Sequence, residues 1–290
     1  MYKIGIVGNG FVGSAVAYGF SPQTTNLGEG HQDVKIFDVD EKKSTHSLDE
    51  TINSSDFIFM SVPTPSNKDG SINLDIVYAA VDDINDINRR DDNILVIRST
   101  MVPGSTRELQ ETFPKLNIVF NPEFLTERSA KFDFINPARF IIGGEKENSN
   151  KLRDLFKWRF GKSVLIIETD FETAEFIKYM NNCFFATKVS FMNDVKMVAD
   201  KCGVNWNDAI DGFVSDGRIG HSHLMVPGPD GRMGFGGSCF PKDINAFMTF
   251  AESVGVEVNT IKGAWETNLH VRPEKDWREL KGRAVVDEEN

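Results

Sequence analysis

Apolar positions in the first part of the chain fall in short runs separated by polar stretches, the pattern of buried parallel strands alternating with helices. Residues 3–7, 34–37, 57–62, 94–99, 118–120, 139–142 and 164–167 read as strands, with helical or turn segments between them. That alternation predicts an α/β fold, a Rossmann-like doubly wound parallel sheet. The period then changes. Thr169-Asp170-Phe171-Glu172 reads as a capping box, and Phe176, Met180, Phe184, Phe191, Val195 and Val198 recur at helical spacing until Gly203. The spacing predicts one helix of about 30 residues. Shorter helices over 205–215, 241–255 and 259–270 complete an all-helical domain. The expected organisation is a Rossmann-like domain at 1–168, a helical domain at 169–272 and a tail at 273–290.

In such sheets ligands bind beyond the carboxyl ends of the strands, so the residues that follow each apolar run carry the information. The first run leads into Gly8-Asn9-Gly10-Phe11-Val12-Gly13 and then an apolar helical stretch. Gly8 suits the tight turn, Gly10 the close approach of a pyrophosphate and Gly13 the packing of helix on strand, while the helix start offers amide N–H groups to the phosphates. A GxGxxG alone is an ordinary tight turn; strand before and helix after point to a dinucleotide. The second strand ends in Asp38, where a carboxylate accepts from a ribose 2′-OH and repels a 2′-phosphate, which indicates NAD rather than NADP. Asp40 competes for that role, and a plain surface turn would use the same acidic residues. Later strands lead into Pro63-Thr64-Pro65, Ser99-Thr100-Met101-Val102-Pro103-Gly104 and Asn121-Pro122-Glu123-Phe124-Leu125-Thr126-Glu127. Prolines and hydroxyls are common in turns, but three such loops at one sheet edge mark a site.

Candidate chemistry concentrates in Gly234-Phe235-Gly236-Gly237-Ser238-Cys239-Phe240-Pro241-Lys242-Asp243. The glycines open backbone conformations closed to other residues and let a small molecule approach the main chain beside a thiol. Pro241 suits the first turn of a helix, which puts Cys239 at its N-terminus, where the partial positive charge favours thiolate; Lys242 adds to that effect. Asp243 supplies an acid/base group within reach of this nucleophile. Cys183 and Cys202 fit the description of inert buried cysteines. Lys178 and Asn182 are four apart on the long helix, on a face away from the apolar stripe. A solvated lysine is the common explanation for such a pair, but the helix starts just after the last strand, where its first turns can face a cofactor cleft.

Composition removes alternatives. The 290 residues, 40% of them hydrophobic, suffice for one large or two ordinary domains. A net charge of -11 without a basic run argues against nucleic acid and anionic membranes. No apolar run has spanning length, and the N-terminus enters a strand pattern directly, without a signal sequence. Three widely spaced cysteines, an odd number without metal-type spacing, suit reduced thiols in a cytoplasmic protein and indicate no metal site.

The glycine turn, Ser99-Thr100 with Val102-Pro103-Gly104, Asn121-Pro122-Glu123-Phe124-Leu125, Lys178 with Asn182, Arg218-Ile219-Gly220 and the 234–243 segment, in this order, resemble the UDP-glucose/GDP-mannose dehydrogenase family. The resemblance implies NAD-dependent oxidation of a nucleotide sugar's C6 alcohol to a carboxylate, with two NADH released. It implies that Cys239 captures the aldehyde as a thiohemiacetal and then holds a thioester, with Glu123 as general acid/base for hydrolysis. Lys178 and Asn182 would stabilise the oxyanion at C6, and Asp243 and Thr100 would hold a water. It further implies NAD contacts from Gly8, Gly10, Phe11, Val12, Gly13, Asp38, Thr64, Thr100 and Glu127. Phe124, Leu125, Lys178, Asn182, Arg218, Phe235 and Gly236 would contact the nucleotide sugar, Arg218 from the neighbouring subunit of a homodimer built on the long helix.

One departure bears on the substrate. Members usually continue into a second nucleotide-binding α/β domain, whereas 280–290 looks like only its first strand. A partner chain supplying that grip, weak substrate binding and a changed substrate are then the options. The loop 221–232 covers the site or is a plain surface turn. Two other functions remain open. A two-electron dehydrogenase of the 3-hydroxyacid or 6-phosphogluconate type would share the glycine turn and the helix lysine but leave Cys239 idle; a non-catalytic NAD-binding subunit would leave the whole set idle.

Overall fold

The computed structural model describes residues 2–22, 24 and 34–286. Met1 and the last four residues of the expected tail, 287–290, lie outside the described residues. The chain divides into two compact units, Met1–Thr64 with Leu74–Lys178, and Pro65–Asn73 with Tyr179–Asn290.

The first unit is the expected doubly wound α/β sheet. Its strands are β1 (Ile4–Val7), β2 (Val34–Phe37), β3 (Phe57–Met60), β4 (Ile94–Ile97), β5 (Asn117–Phe120), β6 (Phe140–Gly144) and β7 (Ile166–Thr169). Among the described residues they form one sheet in the order β2-β1-β3-β4-β5-β6-β7. Neighbours pair parallel, apart from the antiparallel β5–β6 pair. The order reverses between β1 and β3, the position at which such sheets open a crevice beyond their carboxyl ends.

Side-chain alternation fixes the two faces. Ile58, Met60, Leu95, Ile97, Ile118 and Phe120 pack on one side with α2 (Leu48–Asn53), α3 (Asp75–Ile87) and α4 (Ser105–Thr112). Ile4, Ile6, Phe57, Phe59, Ile94, Val96 and Val119 pack on the other with α1 (Phe11–Phe20), α5 (Ala130–Ile135) and α6 (Lys146–Phe160). A one-residue slip would exchange these sets, so burial of both faces sets the register.

The second unit is helical, with α8 (Trp206–Val214), α9 (Phe240–Ser253) and α10 (Asn259–Val271) beside most of α7 (Phe171–Cys202). Residues 65–73 belong to it: the Thr249 hydroxyl donates to the Asp69 carbonyl (3.3 Å), and Ser66 exchanges backbone bonds of 3.0 Å with Ala284 and Val286. In the expected tail, Val285 forms isolated bridges to Ser66 and to Lys281.

Two sequence expectations for α7 change. The cap is Asp170, whose Oδ1 accepts from the Thr173 N–H at 2.7 Å, and not a box built on Thr169 and Glu172. Thr169 is taken up by β7, opposite Gly143, while the Glu172 carboxylate binds Arg107. The apolar stripe faces solvent, with Phe176, Met180, Phe184, Phe191, Val195 and Val198 all 40–63% exposed. The opposite face is buried and carries polar side chains among apolar ones. On it Glu175, fully buried, closes the start of α4 by accepting from the N–H groups of Gly104 (2.7 Å) and Thr106 (2.8 Å) and from the Thr106 hydroxyl (2.5 Å). Burial pushes its carboxyl up to about 7 against the pull of these donors.

Two measurements check these constraints. A Cβ at Gly13 would collide with the Gly8 carbonyl, whereas at Gly10, with φ -80°, it would meet open space. Gly13→Ala should therefore lower the unfolding free energy by about 1–3 kcal/mol in urea titrations. Gly10→Ala should change it by less than about 0.5 kcal/mol. For Glu175 the folded pKa lies above the unfolded one, so its stabilisation is complete below pH ~4.5 and declines as pH rises through about 7. Relative to Glu175→Gln, the native protein should lose on the order of 3 kcal/mol across that window. A constant difference would contradict the assignment.

Candidate active site

The glycine turn has the expected construction. Gly8 takes φ +86° and a Cβ there would strike the Ser61 carbonyl, so only glycine fits; its N–H reaches the Phe37 carbonyl at 2.9 Å. Gly10 precedes α1 without a side-chain cap, and the first amides of that helix have no carbonyl within it to bind. Phe11 and Val12, partly buried, begin the helix. At β2, Asp38 and Asp40 separate. The Oδ2 of Asp38 accepts from the Asn9 N–H at 2.6 Å and so lies against the glycine turn. Asp40 instead caps the turn Glu41–Lys43 through the Lys42 N–H at 3.1 Å. Open space at Gly10, uncapped helix amides and an acidic residue on the turn fit the pyrophosphate and adenosine ribose of NAD. The Ser99 hydroxyl ties the next two loops, donating to the Val62 carbonyl (2.8 Å) and accepting from its N–H (2.9 Å). Thr64 is buried, Thr100 half-buried and Glu127 exposed.

Beyond β5 lies a buried charge cluster. Lys178 Nζ donates to Glu123 Oε1 (2.5 Å) and to the Glu123 carbonyl (2.6 Å), while Glu123 Oε2 accepts from the Leu125 N–H at 2.8 Å. Both side chains are buried, so Lys178 is no solvated surface lysine. Removing one partner of such a pair costs about 3–5 kcal/mol, because the other charge stays buried alone. Phe124 stacks under two cations, with the Arg139 guanidinium 4.5 Å and the Lys178 ammonium 5.6 Å from its ring centre. Sequence reasoning missed a third cation. Arg98, buried at the end of β4, bonds the Asn121 amide oxygen, and Asn121 in turn donates to the Ile141 carbonyl at 2.7 Å. Burial lowers the Arg98 guanidinium to about 10 against the attraction of Glu123. Glu175 was also missed. Its three- and seven-residue spacing from Lys178 and Asn182 on one helix was the available signal.

In the helical unit, Cys239 is the N-cap of α9 with Pro241 in the first turn, as the sequence predicts, and it is half-buried. The Ser238 hydroxyl lies 3.8 Å from its sulfur. Asp243, 1% exposed, is held from both sides: Oδ1 accepts from Lys242 Nζ and Oδ2 from the Asn182 amide, each at 2.6 Å. The Lys242 ammonium is thus engaged with Asp243. Cys183 is buried and its thiol pushed up, first by burial and then by the Asp243 charge; Cys202 is exposed, against expectation, in the last turn of α7. Phe235 is buried, packing with Ile244 and Ala264, and Gly236 is half-buried. Arg218, its side chain 90% exposed, forks onto Asp216 at 2.9 and 2.5 Å. In the loop 221–232, His223 stacks on Phe185 at 4.1 Å, and Gly228 and Arg232 close a turn.

Among the described residues no group of His, Cys, Asp and Glu could hold a metal ion, and no helix is long and apolar enough to cross a membrane. The arrangement can bind a dinucleotide, offers buried ion-paired acid/base groups and presents a thiol at a helix start.

Comparison with known proteins agrees. Residues 34–159 match the NAD binding domain of the UDP-glucose/GDP-mannose dehydrogenase family, and residues 172–270 match that family's central domain. The chain is 37% identical to the UDP-glucose 6-dehydrogenase of Rickettsia prowazekii over 79% of its own length and 52% of the relative's, so it spans about half of that protein. It is 30% identical to the UDP-glucose 6-dehydrogenase of Haloferax volcanii over 98% of its length and 73% of the relative's. A solved UDP-glucose dehydrogenase from Pyrobaculum islandicum superposes with TM-score 0.78 and 28% identity, over 93% of this chain and 68% of that one. With both domain matches and a relative covered to 73% of its length at 30% identity, the chain belongs to the UDP-glucose/GDP-mannose dehydrogenase family.

Proposed function

We propose that this chain performs the NAD-dependent four-electron oxidation of a nucleotide sugar of the UDP-glucose type at C6. The observation that carries the reading is the thiol of Cys239 at the α9 N-terminus, in a glycine loop and beside an Asp243 held by two donors. Oxidising an alcohol to an aldehyde needs no thiol; carrying the aldehyde on to an acid within one site benefits from a covalent acyl intermediate.

The glycine turn at 8–13 would hold NAD, which would supply the hydride acceptor for both oxidations. Glu123 is the general acid/base, and Lys178 with Asn182 donates to the oxygen that develops charge at C6. The Cys239 thiolate adds to the aldehyde carbon, forming a C–S bond and an oxyanion that takes up a proton. The thiohemiacetal then loses the proton and a hydride to become a thioester. A water held by Asp243 and Thr100 attacks the acyl carbon and the C–S bond breaks, returning the thiol and releasing the carboxylate. In sum, one alcohol, two NAD and one water yield one carboxylate, two NADH and three protons. Contacts to the nucleotide sugar are assigned to Phe124, Leu125, Phe235, Gly236 and Arg218, the last reaching the site of a second copy. The remaining NAD contacts are Phe11, Val12, Asp38, Thr64, Thr100 and Glu127.

A homodimer accompanies this reading, built on the α7 stripe. Met180, Phe184, Phe191, Val195 and Val198 lie on one helical face, and a solvent-facing apolar run of this length is unusual for a monomer.

Two experiments test the proposal. NADH formation across a panel of nucleotide sugars should give two NADH per sugar, and Cys239→Ser should abolish acid formation while first-step NADH persists. One NADH per sugar with Cys239→Ser fully active would leave the two-electron reading, and no NADH at all the non-catalytic one. Phe184→Glu should convert a dimer into a monomer by light scattering. A native protein that is already monomeric would remove the dimer.

A further inference from the structure

The glycine loop that leads to Cys239 has little internal means of holding its shape, yet the backbone of Gly234 and Phe235 is engaged by side chains from elsewhere in the helical unit. Gly234 N–H donates to the Asn193 amide oxygen at 3.0 Å, and the Asn193 amide nitrogen donates to the Val189 carbonyl at 2.8 Å, which fixes its orientation. The two backbone groups of Phe235 are both taken by one side chain. Asn268 accepts from the Phe235 N–H at 2.7 Å and donates to the Phe235 carbonyl at 3.0 Å, as a neighbouring strand would. Turning the amide over would set like groups against each other at both bonds. Asn193 and Asn268 are 1% and 0% exposed.

Arg272 adds a floor. It is 2% exposed, forks onto Asp276 at 2.7 Å twice and reaches Asp230 at 2.8 Å, and its guanidinium fills the space a Cβ at Gly236 would need. Gly234, at φ +67°, leaves room for the Asn268 amide in the same way.

From these contacts we propose that Asn268 is a positioning residue for the thiol chemistry: by pairing both backbone groups of Phe235 it fixes the loop that delivers Cys239, with Asn193 and Arg272 holding the residues on either side. The inference rests on the proposed role of Cys239. Its logic follows from the fold. Cys239 begins α9 four residues beyond Phe235, so play in the clamp becomes displacement of the sulfur and of the glycines that are to approach the sugar. The first oxidation does not use the sulfur and the second does, so the two steps should separate.

The test is Asn268→Asp, which keeps size and one acceptor but sets a second acceptor against the Phe235 carbonyl. The rate from aldehyde to acid, measured with the aldehyde supplied, should fall about 10- to 100-fold, while the rate from alcohol to aldehyde falls far less and free aldehyde is trapped by hydroxylamine. Independently of any turnover, alkylation of the Cys239 peptide by iodoacetamide, followed by mass spectrometry, should become about fivefold faster, with Cys202 alkylation as the internal reference. If Asn268→Asp fails to fold, Asn193→Leu, which removes the Gly234 and Val189 bonds and leaves the Asn268 pairing in place, should shift both readouts in the same direction and less. Equal loss in both oxidation steps with unchanged Cys239 alkylation would reduce the clamp to a structural contact and overturn the proposal. If native protein oxidises no nucleotide sugar, the functional reading fails, and the alkylation rates alone decide the clamp.

Discussion

A charge taken out of water must find a partner, and this requirement shapes the buried face of α7. Glu175, Lys178 and Asn182 succeed one another along it, and each is satisfied by a different segment: the start of α4, the loop after β5, and the first turn of α9. A surface helix with an apolar stripe ordinarily turns that stripe inward. Here one apolar stripe stays outward, while the inward face carries Glu175, Lys178 and Asn182 among apolar residues, each of the three matched by a partner. The energetics favour specificity over strength, since a buried ion pair such as Glu123–Lys178 gains little over an apolar pair, yet is costly to break on one side.

Two cations accompany Glu123. Lys178 binds it directly and Arg98 acts on it through the low-dielectric interior, so the carboxylate stands among positive charge. A carboxylate in such surroundings is positioned by its ion pair before any ligand arrives. Asp243 is held similarly, between Lys242 and Asn182. Both carboxylates are thus oriented by a lysine and a further donor, although they sit on different elements.

The legible parts of the sequence were those in which one residue type answers a local demand. Gly8 serves a turn at positive φ, Gly13 makes room for the Gly8 carbonyl five residues before it, and Pro241 marks a helix start without reference to anything distant. Strand positions were readable for the same reason, since a buried parallel strand is a run of apolar residues wherever it stands. The helix cap was misread because Thr169 was claimed by β7, and pairing with Gly143 is not visible locally. Arg98 is the clearest failure of local reasoning. An arginine closing an apolar strand resembles a surface terminus, and only Asn121, brought beside it by the parallel β4–β5 ladder, makes it a buried group. Glu175 was partly legible, since its spacing to Lys178 and Asn182 put all three on one face; what was lacking was knowledge that this face is the buried one.

The glycine loop extends the same reasoning. Residues chosen so that a ligand can approach the backbone cannot also stiffen it, because the absent Cβ permits both the approach and the conformational freedom. On the proposed reading the Cys239 thiol meets one carbon at one moment and cannot tolerate that freedom, so rigidity has to come from outside the segment. Amide side chains suit the task, because one Asn presents a donor and an acceptor at the spacing of a peptide group and so replaces a strand partner without bringing a strand's bulk. Asn268 occupies that role toward Phe235, and a guanidinium locked by two carboxylates stands where the side chain missing from Gly236 would have packed. The glycines and the buried amides are then two halves of one solution, and a substitution in either should be read through the position of the sulfur.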